Sequence, residues 1–191
     1  MRDSILLACG SEKGRALLES LVPPGQLGMV RVAKGGMETR RAFAEGEWDV
    51  VVINAPLGDE SGLELAMELA HQSSAGVLLL VRADAAEAVT MRVRDDGVLV
   101  VAKPVARLMF DQALGFALAM RGRLLSVYAE RERLEKKLAE LRAISRAKCL
   151  LIERMGLTEE QAHRQMEKLA MDNRQTRLAV AQEILSRFEA P

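Results

Sequence analysis

The sequence predicts an α/β protein: a doubly wound, five-stranded parallel sheet, then a long coiled-coil helix and a small three-helix C-terminal module. Three observations carry this expectation. Five short apolar runs rich in β-branched residues recur over the first 118 residues, separated by segments of helical period. A proline-free stretch opens at Arg107 and carries an apolar stripe at alternating steps of three and four. Beyond it, Gly156 and Thr158-Glu159-Glu160-Gln161 read as a helix stop and a helix start. The resulting division is residues 1–118, 119–142 and 143–191.

The expected strands are Ile5–Cys9, Met29–Ala33, Val50–Ile53, Val77–Val81 and Val98–Ala102. Their length suits strands buried on both faces. Helical period marks Glu12–Leu21, Met37–Ala44, Leu63–His71, Ala85–Val93 and the chain from Arg107 onward. Pro23-Pro24-Gly25, Gly35-Gly36 and Gly97 punctuate the joins. In such a sheet, functional groups gather beyond the carboxyl ends of the strands. Those ends carry Gly10-Ser11-Glu12, Asn54, Val81-Arg82 and Lys103-Pro104. The run Gly10-Ser11-Glu12-Lys13-Gly14 lacks phosphate-loop spacing and reads as a simple strand-to-helix turn.

Composition narrows the function classes. At 49% apolar and 28% charged the chain can bury a core, so composition does not imply disorder. Aromatics make up 3%, too few for broad base-stacking platforms. Formal net charge is zero, but residues 121–191 hold 15 Lys/Arg against 11 Asp/Glu, so the basic surplus sits at the helical end. Cys9 and Cys149 each lie in an apolar run and read as buried small hydrophobes of a reducing compartment. No signal pattern and no bilayer-length apolar stretch occur, so a cytoplasmic location without membrane contact is expected.

The order of strands, the polar residue ending the third, and Lys103-Pro104 after the fifth resemble the receiver domain of two-component response regulators. Residues 51–65 follow that family's central segment closely, with Gly62 and Leu63 matching its turn into the third helix. The resemblance implies a flavodoxin-like fold, a cis bond before Pro104 and a phosphoryl-contacting role for Lys103. The chain departs where chemistry would occur. Asn54 stands in place of the phosphoacceptor Asp, and an amide is a poor nucleophile without charge for Mg²⁺. The acidic pair after the first strand is missing, leaving Glu12 as the one carboxylate of that turn, and Val81 replaces the usual hydroxyl residue. A pseudo-receiver is therefore expected, with Glu12, Val81 and Lys103 as pocket remnants around Asn54. Lys103 is either a solvated strand-end lysine or a hydrogen-bond partner of Asn54.

Leu124, Val127, Arg131, Leu134, Leu138 and Leu141 form an a/d stripe of about three heptads. Mixed charges cover the remaining faces. A parallel homodimer through this stripe is expected, with the polar Arg131 fixing register. The competing reading is one amphipathic helix packed on its own domain.

Past the coil, Ala147, Leu150 and Leu151, then Ala162, Met166, Leu169 and Ala170, then Leu178, Ala181, Ile184 and Leu185 supply three inward faces. This tail resembles the ANTAR module of transcription antitermination regulators over about residues 140–188. The residues that carry the resemblance are Ala147-Lys148, Gly156-Leu157-Thr158-Glu159, Ala162, Lys168, Ala170-Met171-Asp172, Arg174, Thr176 and Val180-Ala181. Cys149 departs from the glycine common there. The resemblance implies binding to paired hairpins in nascent mRNA leaders. Candidate RNA contacts are Arg146, Lys148, His163, Arg164, Lys168, Arg174, Gln175, Thr176 and Arg177, since cations meet phosphate and Gln or Thr can read base edges.

Nothing in the sequence supports catalysis. His71 and His163 fall in separate domains, no metal-ligand spacing occurs, and no nucleophile sits beside a base, so neither metal nor cofactor is expected. The leading expectation is a dimeric RNA-binding antiterminator whose pseudo-receiver is controlled by contact with a regulatory sensor protein. The alternatives are a two-component output protein that binds DNA and a signalling adaptor without nucleic-acid affinity.

Overall fold

The computed structural model describes residues 3–22 and 27–189; the turn expected at Pro23-Pro24-Gly25 lies outside the described residues. The chain divides into two compact units, the first ending at Ser126 and the second beginning at Val127.

Strands β1 (Asp3–Cys9), β2 (Leu27–Ala33), β3 (Val50–Asn54), β4 (Gly76–Arg82) and β5 (Val98–Lys103) form one parallel sheet in the order β2-β1-β3-β4-β5. Helices α1 (Glu12–Leu21), α2 (Gly36–Ala44), α3 (Leu63–Gln72) and α4 (Ala83–Arg92) make the crossovers, and α5 (Arg107–Met155) follows β5. Element ends depart from the expected spans by no more than the residue or two usual at frayed termini.

The pleat sorts the core into two layers. Leu6, Ala8, Val51, Ile53 and Leu79 face α2 and α3, meeting Ala42, Leu65, Ala66 and Leu69. Ile5, Leu7, Cys9, Val52, Leu78 and Leu80 face α1 and α5, meeting Leu18, Leu21, Phe110 and Leu114. Both faces are therefore covered, which is why these strands read as unbroken apolar runs rather than as alternation.

The first unit runs further along α5 than residue 118. Arg121 pairs with Asp49 at 2.8 Å, and Leu125 lines a cleft with Phe43 and Trp48. Asp49 also accepts from the backbone N–H and hydroxyl of Ser4 at 2.6 and 2.8 Å, so both carboxylate oxygens are engaged.

The loop after β3 is tied to α2. Gly35 offers no side-chain cap to that helix, and Asp59 supplies one from a distance, accepting from the N–H groups of Gly36 and Met37 at 2.8 and 3.1 Å. Arg40 then reaches Glu60 and Glu68 at 2.5 and 2.8 Å. The two backbone donors hold the Asp59 carboxyl below its ordinary value of 3.8. A carboxylate depressed in this way stabilises the fold above its unfolded value, and that contribution disappears as pH falls through the folded value. The Asp59→Asn variant is expected to melt earlier at neutral pH and to show a flatter loss of stability below pH 3.8. Thermal denaturation across pH reads both, and parallel profiles for variant and parent would contradict the assignment.

The second unit packs the end of α5 against α6 (Glu159–Asp172) and α7 (Arg177–Glu189) around Ala147, Leu151, Ala162, Met166, Val180, Ala181 and Ile184. Helix α5 stops where Gly156 adopts φ 66° and returns its N–H to the Ile152 carbonyl at 3.0 Å. Both halves of the capping box form: the Thr158 hydroxyl accepts from the Gln161 N–H at 3.2 Å, and the Gln161 side chain accepts from the Thr158 N–H at 2.9 Å. Two expectations need correction. Cys149 is exposed rather than buried, because Ala147, Leu150 and Leu151 take the inward arc and turn residue 149 outward. Val180, not among the residues expected inside, is fully part of the core, while Leu178 is only half-buried. Among the described residues no helix is long and apolar enough to cross a membrane.

Candidate nucleic-acid interface

The carboxyl end of the sheet holds the receiver-like pocket. Asn54 is 8% exposed, and its amide nitrogen donates to the Cys9 sulfur at 3.4 Å. Its amide oxygen accepts from the Lys103 ammonium at 3.0 Å, and Lys103 also donates to the Ala55 carbonyl. Of the two roles open to Lys103, the hydrogen-bonded one is therefore realised. Burial lowers the Lys103 pKa, with Cys9 opposing the shift and Arg82 adding to it. The peptide bond before Pro104 is cis, as is that before Pro56.

Cys9 is the pocket residue that sequence reasoning missed. It pairs with Asn54 across the β1–β3 register and points inward as the last residue of its strand. Its position as the last residue of β1, level with the polar end of β3, was the available signal. Glu12, expected as a remnant of the pocket, instead opens α1 as an exposed residue behind the N-cap Ser11. Its charge acts on Arg15, and among the described residues it bonds neither Asn54 nor Lys103. Val81 is buried and offers no hydroxyl. Gly10 lies against the next loop so closely that a β-carbon there would collide with the Gly58 backbone nitrogen. No carboxylate can therefore project from position 10. Among the described residues no three His, Cys, Asp or Glu side chains converge on a metal site.

On the coil segment of α5, Leu124, Val127, Leu134, Leu138 and Leu141 are all exposed, with Leu134 and Leu141 each at 57%. Val127, Arg131, Leu134 and Leu138 line a shallow apolar hollow of about 410 Å³. Arg131 pairs with Glu135 at 2.8 Å.

The tail brings the expected basic residues onto one small unit but treats them differently. Lys148 is half-buried and paired with Glu159 at 3.2 Å. Arg164 is paired with Glu160 at 2.5 Å. His163 and Arg177 share Glu167 at 3.4 and 3.7 Å. Arg146 is exposed on α5. Gln175 donates its side-chain amide to Glu183 at 2.8 Å, and the Thr176 hydroxyl accepts from the Ala179 N–H at 3.1 Å as a cap for α7. Lys168 and Arg174 are exposed, and neither has a carboxylate within ion-pair distance among the described residues.

Arg174 also has an unusual backbone. At φ 53° it is the one non-glycine residue in the left-handed region among the described residues. Its N–H reaches the Met171 carbonyl at 3.2 Å, and the Gln175 N–H reaches the Ala170 carbonyl at 2.9 Å. This is the Schellman termination of α6, with arginine at the position that glycine occupies most easily. That conformation costs an L-residue about 1–2 kcal/mol.

Residues 132–185 match the ANTAR domain family. Over 144 residues the chain is 26% identical to the "Transcriptional regulatory protein PdtaR" of Mycobacterium tuberculosis, covering 75% of this chain and 70% of that protein. Among solved structures, the signal receiver domain of an HD domain-containing protein from Pseudomonas fluorescens aligns with a TM-score of 0.57 at 24% identity, covering 69% of this chain and 93% of that one. A response regulator receiver domain protein from Clostridium thermocellum aligns with a TM-score of 0.52 at 21% identity, covering 64% of this chain and 98% of that one. With the five-stranded parallel sheet and the capped helical tail, these likenesses make residues 132–185 a match to the ANTAR domain and the first unit a receiver-like fold.

Proposed function

We propose that the protein is an RNA-binding antitermination regulator that grips hairpins in nascent mRNA leaders and so keeps a terminator from forming. Its first unit works as a pseudo-receiver that responds to contact with a sensor protein rather than to aspartyl phosphorylation. Its coil presents two tails side by side in a homodimer.

The observation that carries the RNA reading is the pair Lys168 and Arg174, cationic, exposed and without carboxylate partners among the described residues, on a domain of the ANTAR family. Phosphates flanking an RNA loop demand such cations, and strain retained at Arg174 favours a use for it. Lys148, Arg164 and Arg177 must first leave a carboxylate, so they are secondary contacts. Thr176 is a helix cap before it is a base reader. The pseudo-receiver reading is supported by Asn54 bonded on both sides and by the close backbone approach at Gly10, which excludes a carboxylate. The dimer reading is supported by the exposed stripe on the coil, since contiguous exposed apolar surface commonly marks an interaction face.

Binding to hairpin RNA and to duplex DNA of equal length, measured over a salt series, tests the function. Preference for the hairpin, with affinity falling steeply as salt rises, is expected from phosphate neutralisation. A preference for duplex DNA would point to a two-component output protein. Equal and weak affinity for both would leave a signalling adaptor.

A further inference from the structure

We propose that the cleft between α6 and α7 is a nucleobase subsite that selects guanine through the Glu167 carboxylate, an assignment that rests on the RNA-binding reading above. The cleft measures about 440 Å³ and is lined by Glu167, Ala170, Met171, Gln175 and Arg177. Its apolar part is supplied by Ala170 and by Met171, the latter 79% exposed. A thioether is polarisable and rests well against a flat aromatic ring.

The polar lining sets what can enter. Glu167 is held only loosely, by His163 at 3.4 Å and Arg177 at 3.7 Å, whereas Glu160 is gripped by Arg164 at 2.5 Å. Its oxygens can therefore accept from a ligand. Gln175 has given one amide N–H to Glu183, which leaves its oxygen as an acceptor and one further N–H as a donor. Arg177 is the charged donor. A phosphate is a poor occupant, because it would face the Glu167 charge at close range. Phosphates belong instead on Lys168 and Arg174, which carry no carboxylate partner among the described residues.

A carboxylate beside a guanidinium matches one base edge best. Guanine presents two adjacent N–H donors, N1 and N2, that fit the two oxygens of Glu167, and O6 beside them accepts from Arg177. Adenine and cytosine would turn a ring acceptor toward the carboxylate. Uracil brings a single N–H flanked by two carbonyl oxygens. An unstacked loop base displays this edge freely, whereas a paired base hides it.

The test uses the full-length protein and hairpins of one stem with randomised loops. The bound fraction is expected to be enriched in guanine at one loop position. Replacing that guanine by inosine, which lacks only the N2 amine, is expected to weaken binding on the order of tenfold, the scale on which a bidentate base pairing discriminates. In Glu167→Gln the guanine hairpin should bind more weakly and the inosine penalty should largely vanish. A bound pool without guanine enrichment would overturn the subsite while leaving hairpin binding intact. So would uniform tightening of every hairpin by Glu167→Gln, since Glu167 would then be only a counter-charge. Failure of every hairpin to bind at low ionic strength would instead sink the RNA reading itself, and this inference with it.

Discussion

The Met166→Ala variant is expected to lose most of the folding stability of the second unit and to leave the first unit untouched. Met166 sits at the centre of the tail, buried among Ala147 and Leu151 of α5 and Val180, Ala181 and Ile184 of α7. Removing a buried side chain of this size costs about 2–5 kcal/mol, the transfer loss plus the cavity left behind. The unit from Val127 onward is small, and a domain of that size has little stability in reserve. At about 0.05–0.15 kcal/mol per residue, its total is of the same order as the expected loss. Amide hydrogen exchange should show protection collapsing across α6 and α7 while strands β1, β3 and β4 keep theirs. Unchanged protection in α6 would contradict the packing described, and collapse in both units would contradict the expected confinement of the effect to the second unit.

The second large effect concerns RNA. Lys168→Ala combined with Arg174→Gly is expected to weaken hairpin binding and to lower the log–log salt slope by about one for each phosphate that is no longer neutralised. Glycine at position 174 relieves the left-handed strain, so this change alone should raise the tail's stability by about 0.5–1 kcal/mol once the added freedom of the unfolded chain is counted. Stability and affinity would then move in opposite directions, an outcome that misfolding cannot produce. A double variant with unaltered affinity and salt slope would remove Lys168 and Arg174 from the interface.

Much of the architecture was legible without coordinates, for reasons visible in particular elements. Strands β1, β3 and β4 are covered on both faces, so each had to be an unbroken apolar run bounded by turn residues. Thr158 and Gln161 announce the start of α6 because both partners of the cap lie within one turn. Asn54 and Lys103 were recognisable because strand ends are where such sheets gather polar groups, and the structure joins them by a hydrogen bond. Less legible was anything that depends on which way a residue faces across a distance in sequence. Cys9 touches Asn54 only through strand register, and Glu12 turns away because it belongs to a helix rather than to the strand end. The cap on α2 comes from Asp59 in another loop, which no local pattern encodes.

The tail shows the same division. Its basic residues could be counted and placed on three helices, but the sequence could not say which carboxylate each would meet. Lys148 finds Glu159, a residue of the next helix, and Arg177 finds Glu167 across the α6–α7 corner. Local periodicity and capping chemistry, both acting within a turn or two of chain, determined the elements and their order. Tertiary packing alone decided which charges are neutralised, which cysteine is buried and which arginine bears backbone strain, because pairings across helices and strands depend on distances that a linear pattern does not contain.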